Sequence, residues 1–87
     1  MKDYHYNKEK NDFLRKDRNI DFKEVIKALN NERLLDVIDN PNIEKYPNQR
    51  IFLVKIRQHI FAVPFIEEEE YIFLKTIYPS QKYTRKY

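Results

Sequence analysis

The 87-residue sequence contains no glycine. Every turn must therefore be made by asparagine, aspartate, proline or a residue forced into left-handed geometry. Loops in which backbone approaches a phosphate closely and φ turns positive are poorly served by such a chain. This argues against the glycine-rich cradles of nucleotide-cofactor enzymes. Cysteine is also absent, which excludes disulfides and thiolate metal sites, and only His5 and His59 offer imidazole chemistry. We expect neither a metal centre nor a cofactor.

One domain with one modest core is the expectation at this length, spanning residues 1–87. Seventeen Lys and Arg stand against fourteen Asp and Glu, a net charge of +3. Four of the acids are consecutive, Glu67 to Glu70, so the remaining surface is more basic than the sum suggests. A polyanionic partner suits this distribution. No apolar run approaches the ~20 residues of a membrane span, and Met1 to Tyr6 lacks a signal peptide's apolar segment, so a soluble, cytoplasmic protein is expected.

Asp3 to Tyr6 can form a short extended piece before Asn7, an N-cap for a helix over Lys8 to Asp17. Phe13 and Leu14 are its core candidates, and Lys8, Lys10, Arg15, Lys16 and Arg18 make it basic. The plainer reading is a solvated helix balanced by Glu9, Asp12 and Asp17, with RNA contact as the other. A second helix begins at Phe22: Asp21 and Glu24 have capping-box spacing, Ile20 and Val25 that of a hydrophobic staple. Phe22, Val25, Ile26 and Leu29 give it one apolar face, and Asn30-Asn31 offer the left-handed geometry that ends it.

Four strands follow. Leu34 to Ile38 ends in the turn residues Asp39 to Asn42, and Ile43 to Asn48 reads as loop. Arg50 to Arg57 and His59 to Ile66 are so close that a tight hairpin is the natural reading, in which Gln58 or its neighbours accept an uncomfortable turn geometry or the loop is slightly longer. Pro64 suggests an edge position or a bulge. After an acidic turn, Tyr71 to Tyr78 reads as an eight-residue central strand. Alternation puts Ile72, Leu74, Thr76 and Tyr78 on one face, Tyr71, Phe73, Lys75 and Ile77 on the other. Pro79 closes it before a basic, aromatic tail. The fold expected is α+β: two N-terminal helices on one face of an antiparallel sheet of four strands, or five with Asp3 to Tyr6, the other face open.

The order of motifs resembles the BrnT-type ribonuclease toxins of bacterial type II toxin–antitoxin systems, within the RelE/ParE-like fold. Tyr4-His5-Tyr6-Asn7-Lys8-Glu9-Lys10-Asn11, leading to Leu14-Arg15-Lys16, is similar to the family's opening pattern. Ile20-Asp21-Phe22-Lys23-Glu24-Val25 looks like its second helix start, and Arg50-Ile51-Phe52 and Ile72-Phe73-Leu74-Lys75-Thr76-Ile77, ending in Pro79-Ser80 with Lys82 and Arg85-Lys86, like its strands and tail. The family often has glycine just before the position of Ile20, and commonly Ser-Ala-Arg-Arg near Tyr78 to Lys82. The resemblance implies a RelE-like fold, metal-independent RNA cleavage that inhibits translation, and inhibition by a DNA-binding antitoxin, of the ribbon-helix-helix kind.

Such cleavage needs the 2′-hydroxyl deprotonated, charge on the phosphate stabilised and the leaving 5′-oxygen protonated. Arg57, His59, Lys82 and Arg85 are the candidate catalytic residues: an imidazole ordinarily titrates near 6.5, and guanidinium and ammonium groups hold phosphate oxygens. Lys75, Tyr78, Ser80, Tyr83 and Lys86 are candidate RNA contacts, aromatic rings stacking bases beside cations. Each has a plainer reading as solvated, capping or core residue. Glu67 to Glu70 reads as a solvated turn, since consecutive residues there point apart. A non-catalytic RelE-like protein- or RNA-binding module is the alternative. An open apolar sheet face would make the chain a homodimer or a partner in a toxin–antitoxin hetero-oligomer.

Overall fold

The computed structural model describes residues 2–42 and 44–86, the side chains of residues 85 and 86 excepted. In chain order the elements are β1 (Asp3–Tyr6), α1 (Lys8–Arg18), α2 (Phe22–Asn30), β2 (Leu34–Asp39), β3 (Gln49–Ile56), β4 (His59–Glu67), β5 (Tyr71–Leu74), β6 (Tyr78–Pro79) and α3 (Gln81–Lys86). The class is α+β. The sheet runs β1-β5-β4-β3-β2, with β6 pairing β4 beyond the end of β5. It is mixed, not wholly antiparallel, because β1 lies parallel to β5, with Tyr4 opposite Ile72. Among the described residues the helices number three, and the last, α3, follows the sheet.

Local chemistry sets the helix ends. The Asn7 side chain accepts the Lys10 N–H at 2.9 Å, and Asp21 accepts that of Lys23 at 2.8 Å, each filling a donor the first turn leaves unpaired. Asn19 stops α1 at φ 53°, its N–H turned back to the Leu14 carbonyl. Asparagine is the non-glycine residue best suited to that conformation, which is why the turn tolerates the glycine's absence. After α2 the left-handed residue is Glu32, at φ 60°, not Asn30 or Asn31. Arg33 N–H bonds the Ala28 carbonyl at 2.9 Å, and closing that ring places the reversal one residue later than composition suggests.

Both long helices cover one face of the sheet. Leu14, Ile20, Phe22, Val25 and Ala28 pack there on Phe52, Val54, Ile56, Val63, Phe65, Leu74 and Ile77. Phe52 and Phe65 stack at 3.8 Å between ring centroids, and Tyr6 stacks on Phe22 at 4.9 Å. Phe13 is not core: it is 52% exposed, with the Lys10 ammonium 5.4 Å from its ring. It stands about 100° round the helix from Leu14, and it is Leu14, wholly buried, that faces the sheet. The opposite face is not wholly open. Ile51, Leu53, Ile60 and Ala62 are buried there, with Tyr83 of α3 packed against them. The tail became a helix because Ser80 caps it, accepting the Tyr83 N–H at 3.4 Å, while Thr84 Oγ1 accepts the Ile60 N–H at 2.9 Å.

The strand expected over Tyr71 to Tyr78 is broken, and β4, not this stretch, is central. Phe65 pairs with Leu74 but Ala62 with Tyr78, so one extra residue lies between β5 and β6. Such an insertion reverses the alternation of side chains after it. Ile77 therefore joins Leu74 in the helix-side core, and Tyr78 shares the other face with Ala62. Pro64, in the central strand, explains the break. Its carbonyl accepts the Lys75 N–H at 2.8 Å, and the amide and carbonyl of one strand residue face the same side, so the donor that proline lacks is missing where β5 ends.

Candidate nucleic-acid interface and active site

The β3–β4 hairpin closes through two residues, Arg57 and Gln58, at φ 52° and 67° between the paired Ile56 and His59. Two successive positive φ values are the signature of the hairpin turn that normally takes Asn-Gly. Of the two options open to a glycine-free hairpin, a strained tight turn or a longer loop, the chain takes the first. The geometry turns Arg57 towards the helices: its Nη1 donates to the Asn19 carbonyl at 3.0 Å and its Nη2 to the Glu24 carboxylate. Glu24, three residues after the helix cap, pairs with this guanidinium, which joins the hairpin to the α1–α2 junction.

His59 begins β4 and is exposed. It lines a cavity of about 430 Å³ with Arg18, Phe61, Pro79, Ser80, Gln81 and Thr84. The walls come from four elements: the last turn of α1, the start of β4, β6 and α3. Arg18 Nη1 donates to the Ile77 carbonyl at 2.6 Å, and its Nε lies 3.6 Å from Asp17, so backbone and carboxylate together orient the guanidinium. Ser80 continues the ladder, its N–H donating to the Ile60 carbonyl at 2.9 Å. A base, a fixed cation and hydroxyl groups over an apolar floor constitute a site able to bind an anion and move a proton.

The structure brings together His59 and Ser80 among the sequence-derived candidates. Arg57 lines a different hollow, with Glu24, Lys27, Arg33 and Lys55. Lys82 stands exposed on α3, its ammonium 5.4 Å from the Tyr83 ring, and that ring covers the second core. Lys75 is exposed, 5.5 Å from the Phe73 ring. Tyr78 is 37% exposed; burial first, then the neighbouring Tyr83, pushes its hydroxyl above the ordinary tyrosine value, so it remains a neutral donor. The side chains of Arg85 and Lys86 lie outside the described residues, as does Tyr87.

Arg18 is a cavity residue that the sequence marked only as one of five cations of a basic helix, read as solvated or as an RNA contact. The helix expected over Lys8 to Asp17 ends one residue later, at Arg18, whose partner, the Ile77 carbonyl, lies 59 residues away. His5, unassigned from sequence, stacks on Tyr71 at 4.5 Å with the rings 13° from parallel. Asn11 is buried although polar: its Oδ1 accepts the Phe22 N–H at 2.8 Å, tying the two N-terminal helices. At the far end of β4, Lys2 bonds Glu67 at 2.8 Å and the Glu68 carbonyl at 2.7 Å, and holds the Glu67 carboxyl below the usual glutamate range. Among the described residues no group of acidic, histidine or cysteine side chains has the geometry of a metal site, and no helix is long and apolar enough to cross a membrane. Comparison of the chain with protein-family models, curated proteins and solved structures gave no match.

Proposed function

We propose that this chain is the toxin of a type II toxin–antitoxin system, a BrnT-type, RelE-like endoribonuclease that needs no metal and is neutralised by a DNA-binding antitoxin. The observation that carries the reading is the cavity lined by His59, Arg18 and Ser80, which three different parts of the chain bring together. Neutral His59 accepts the proton of a ribose 2′-hydroxyl, and the 2′-oxygen attacks the adjacent phosphorus. The P–O5′ bond breaks, leaving a 2′,3′-cyclic phosphate, and the 5′-oxygen takes a proton from the imidazolium or from water. Arg18 offers nitrogens to the phosphate oxygens as charge builds on them. Arg57 serves in this scheme by holding the hairpin that carries His59.

The test is cleavage of purified RNA, and of RNA on translating ribosomes, in excess chelator. The parent cleaves. His59→Ala lowers the rate by roughly 10²–10⁴, the range of a lost acid–base group. Arg57→Ala keeps most of the rate but loses on the order of 1 kcal/mol of stability, read from denaturant unfolding. The alternative, a non-catalytic RelE-like binding module, has one observation in its favour, the engagement of Arg57 by Glu24 and Asn19. RNA left intact by the parent in both settings selects it.

A further inference from the structure

The break between β5 and β6 has a consequence for the face opposite the long helices. On β5, Tyr71 and Phe73 point to that face, since Ile72 and Leu74 belong to the helix-side core. Lys75 follows, its ammonium over Phe73. An unbroken strand would send Tyr78 to the other side. The one-residue insertion instead pairs Tyr78 with Ala62 and returns it to the same face as Tyr71 and Phe73. Beside the row His5, on β1 opposite Phe73, lies flat against Tyr71 and is itself exposed. Tyr71 and Phe73 are half-buried, neither belongs to the patch that Tyr83 covers, and at about 3.3 Å per residue the row extends roughly 20 Å. It ends at Tyr78, at the sheet edge formed by β6; the His59 cavity lies across that edge, because Phe61 and its partner Pro79 belong to the helix-side face.

We propose that this row, His5–Tyr71–Phe73–Lys75–Tyr78, is a stacking track that leads single-stranded RNA to the β6 edge of the sheet, round which the strand reaches the cavity. The proposal rests on the ribonuclease reading for its ligand. Successive rings on one strand face present π-surfaces to successive bases without regard to sequence, while Lys75 meets the phosphates between them. Asp3, opposite Tyr71, and the run Glu67 to Glu70 close the far end, since phosphates are repelled there. The strand is thereby drawn towards the end where Lys75, Lys82 and Arg18 stand. A duplex, whose bases are already stacked on each other, has no use for the rings.

The experiment measures binding of a labelled single-stranded oligonucleotide with 2′-O-methyl riboses, which cannot be cleaved by 2′-oxygen attack, alongside cleavage of unmodified RNA. Tyr71→Leu and Phe73→Leu keep the apolar bulk and remove the ring. Each is expected to weaken single-strand binding by roughly 5- to 150-fold with little change for duplex RNA. Lys75→Gln lowers the slope of log affinity against log salt by roughly 0.7. Thermal melts of the variants confirm the fold. Parental affinity in a folded Tyr71→Leu/Phe73→Leu double variant overturns the track while leaving the cleavage assay to judge the enzyme. Single-strand binding that needs the rings, in a parent that cleaves nothing, keeps the track and removes the enzyme. A parent that ignores RNA but forms a dimer that Phe73→Leu dissociates makes the row a protein interface, and overturns the proposal.

Discussion

Asn11 shows how much one side chain can decide. Its Oδ1 takes the N–H of Phe22, a residue wholly buried at the first turn of α2, where helix geometry provides no acceptor. Replacing it by alanine or leucine strands a donor in the core, so Asn11→Leu is expected to lose about 1–3 kcal/mol in urea unfolding. The exposed neighbour Asp12→Ala should stay within about 0.5 kcal/mol. The sequence displayed Asn11 only as part of a motif. No local rule marks it as buried, because the donor it serves lies 11 residues away. Leu14 and Phe13 make the same point: both are apolar, and the sheet accepts one.

At the level of elements, local signals were the most readable. Asn7 and Asp21 cap the helices they precede, Ile20 and Val25 are both buried as a staple requires, and the hairpin forms where two apolar runs meet. The absence of glycine shows as strain at the Arg57-Gln58 turn. An L-residue in left-handed conformation costs about 1–2 kcal/mol, and glycine returns part of that gain through its freer unfolded chain. Gln58→Gly is expected to raise stability by about 0.5–1 kcal/mol, seen as a melting temperature higher by about 2–8 °C. Arg57 is the wrong choice for that change, because its side chain links the hairpin to Glu24 and Asn19. The last helix was less legible: a Ser80 cap and one aromatic ring become a helix only when a sheet face is there to receive Tyr83.

Taken whole, the molecule has two apolar layers on one sheet, a large one under α1 and α2 and a small one under α3. A chain ending at Ser80 would expose Ile51, Leu53, Ile60 and Ala62 and lose the Thr84 bond to Ile60. It is expected to melt lower and to bind a hydrophobic dye that the full chain excludes; an unchanged melt would show that α3 contributes nothing to this cover. By itself the sequence determined the α+β class, the start of each long helix, the β3–β4 hairpin and the acidic turn, because these follow from periodicity, capping and turn chemistry over a few residues. Only the tertiary structure decided that β1 runs parallel to β5, that β4 is central, and that His59, Ser80 and Arg18 share a cavity. It also decided which face Ile77 and Tyr78 take. Pro64 could be read as a disturbance of its own strand, but its missing donor acts on the neighbour, and pairing between strands is not written in either strand alone.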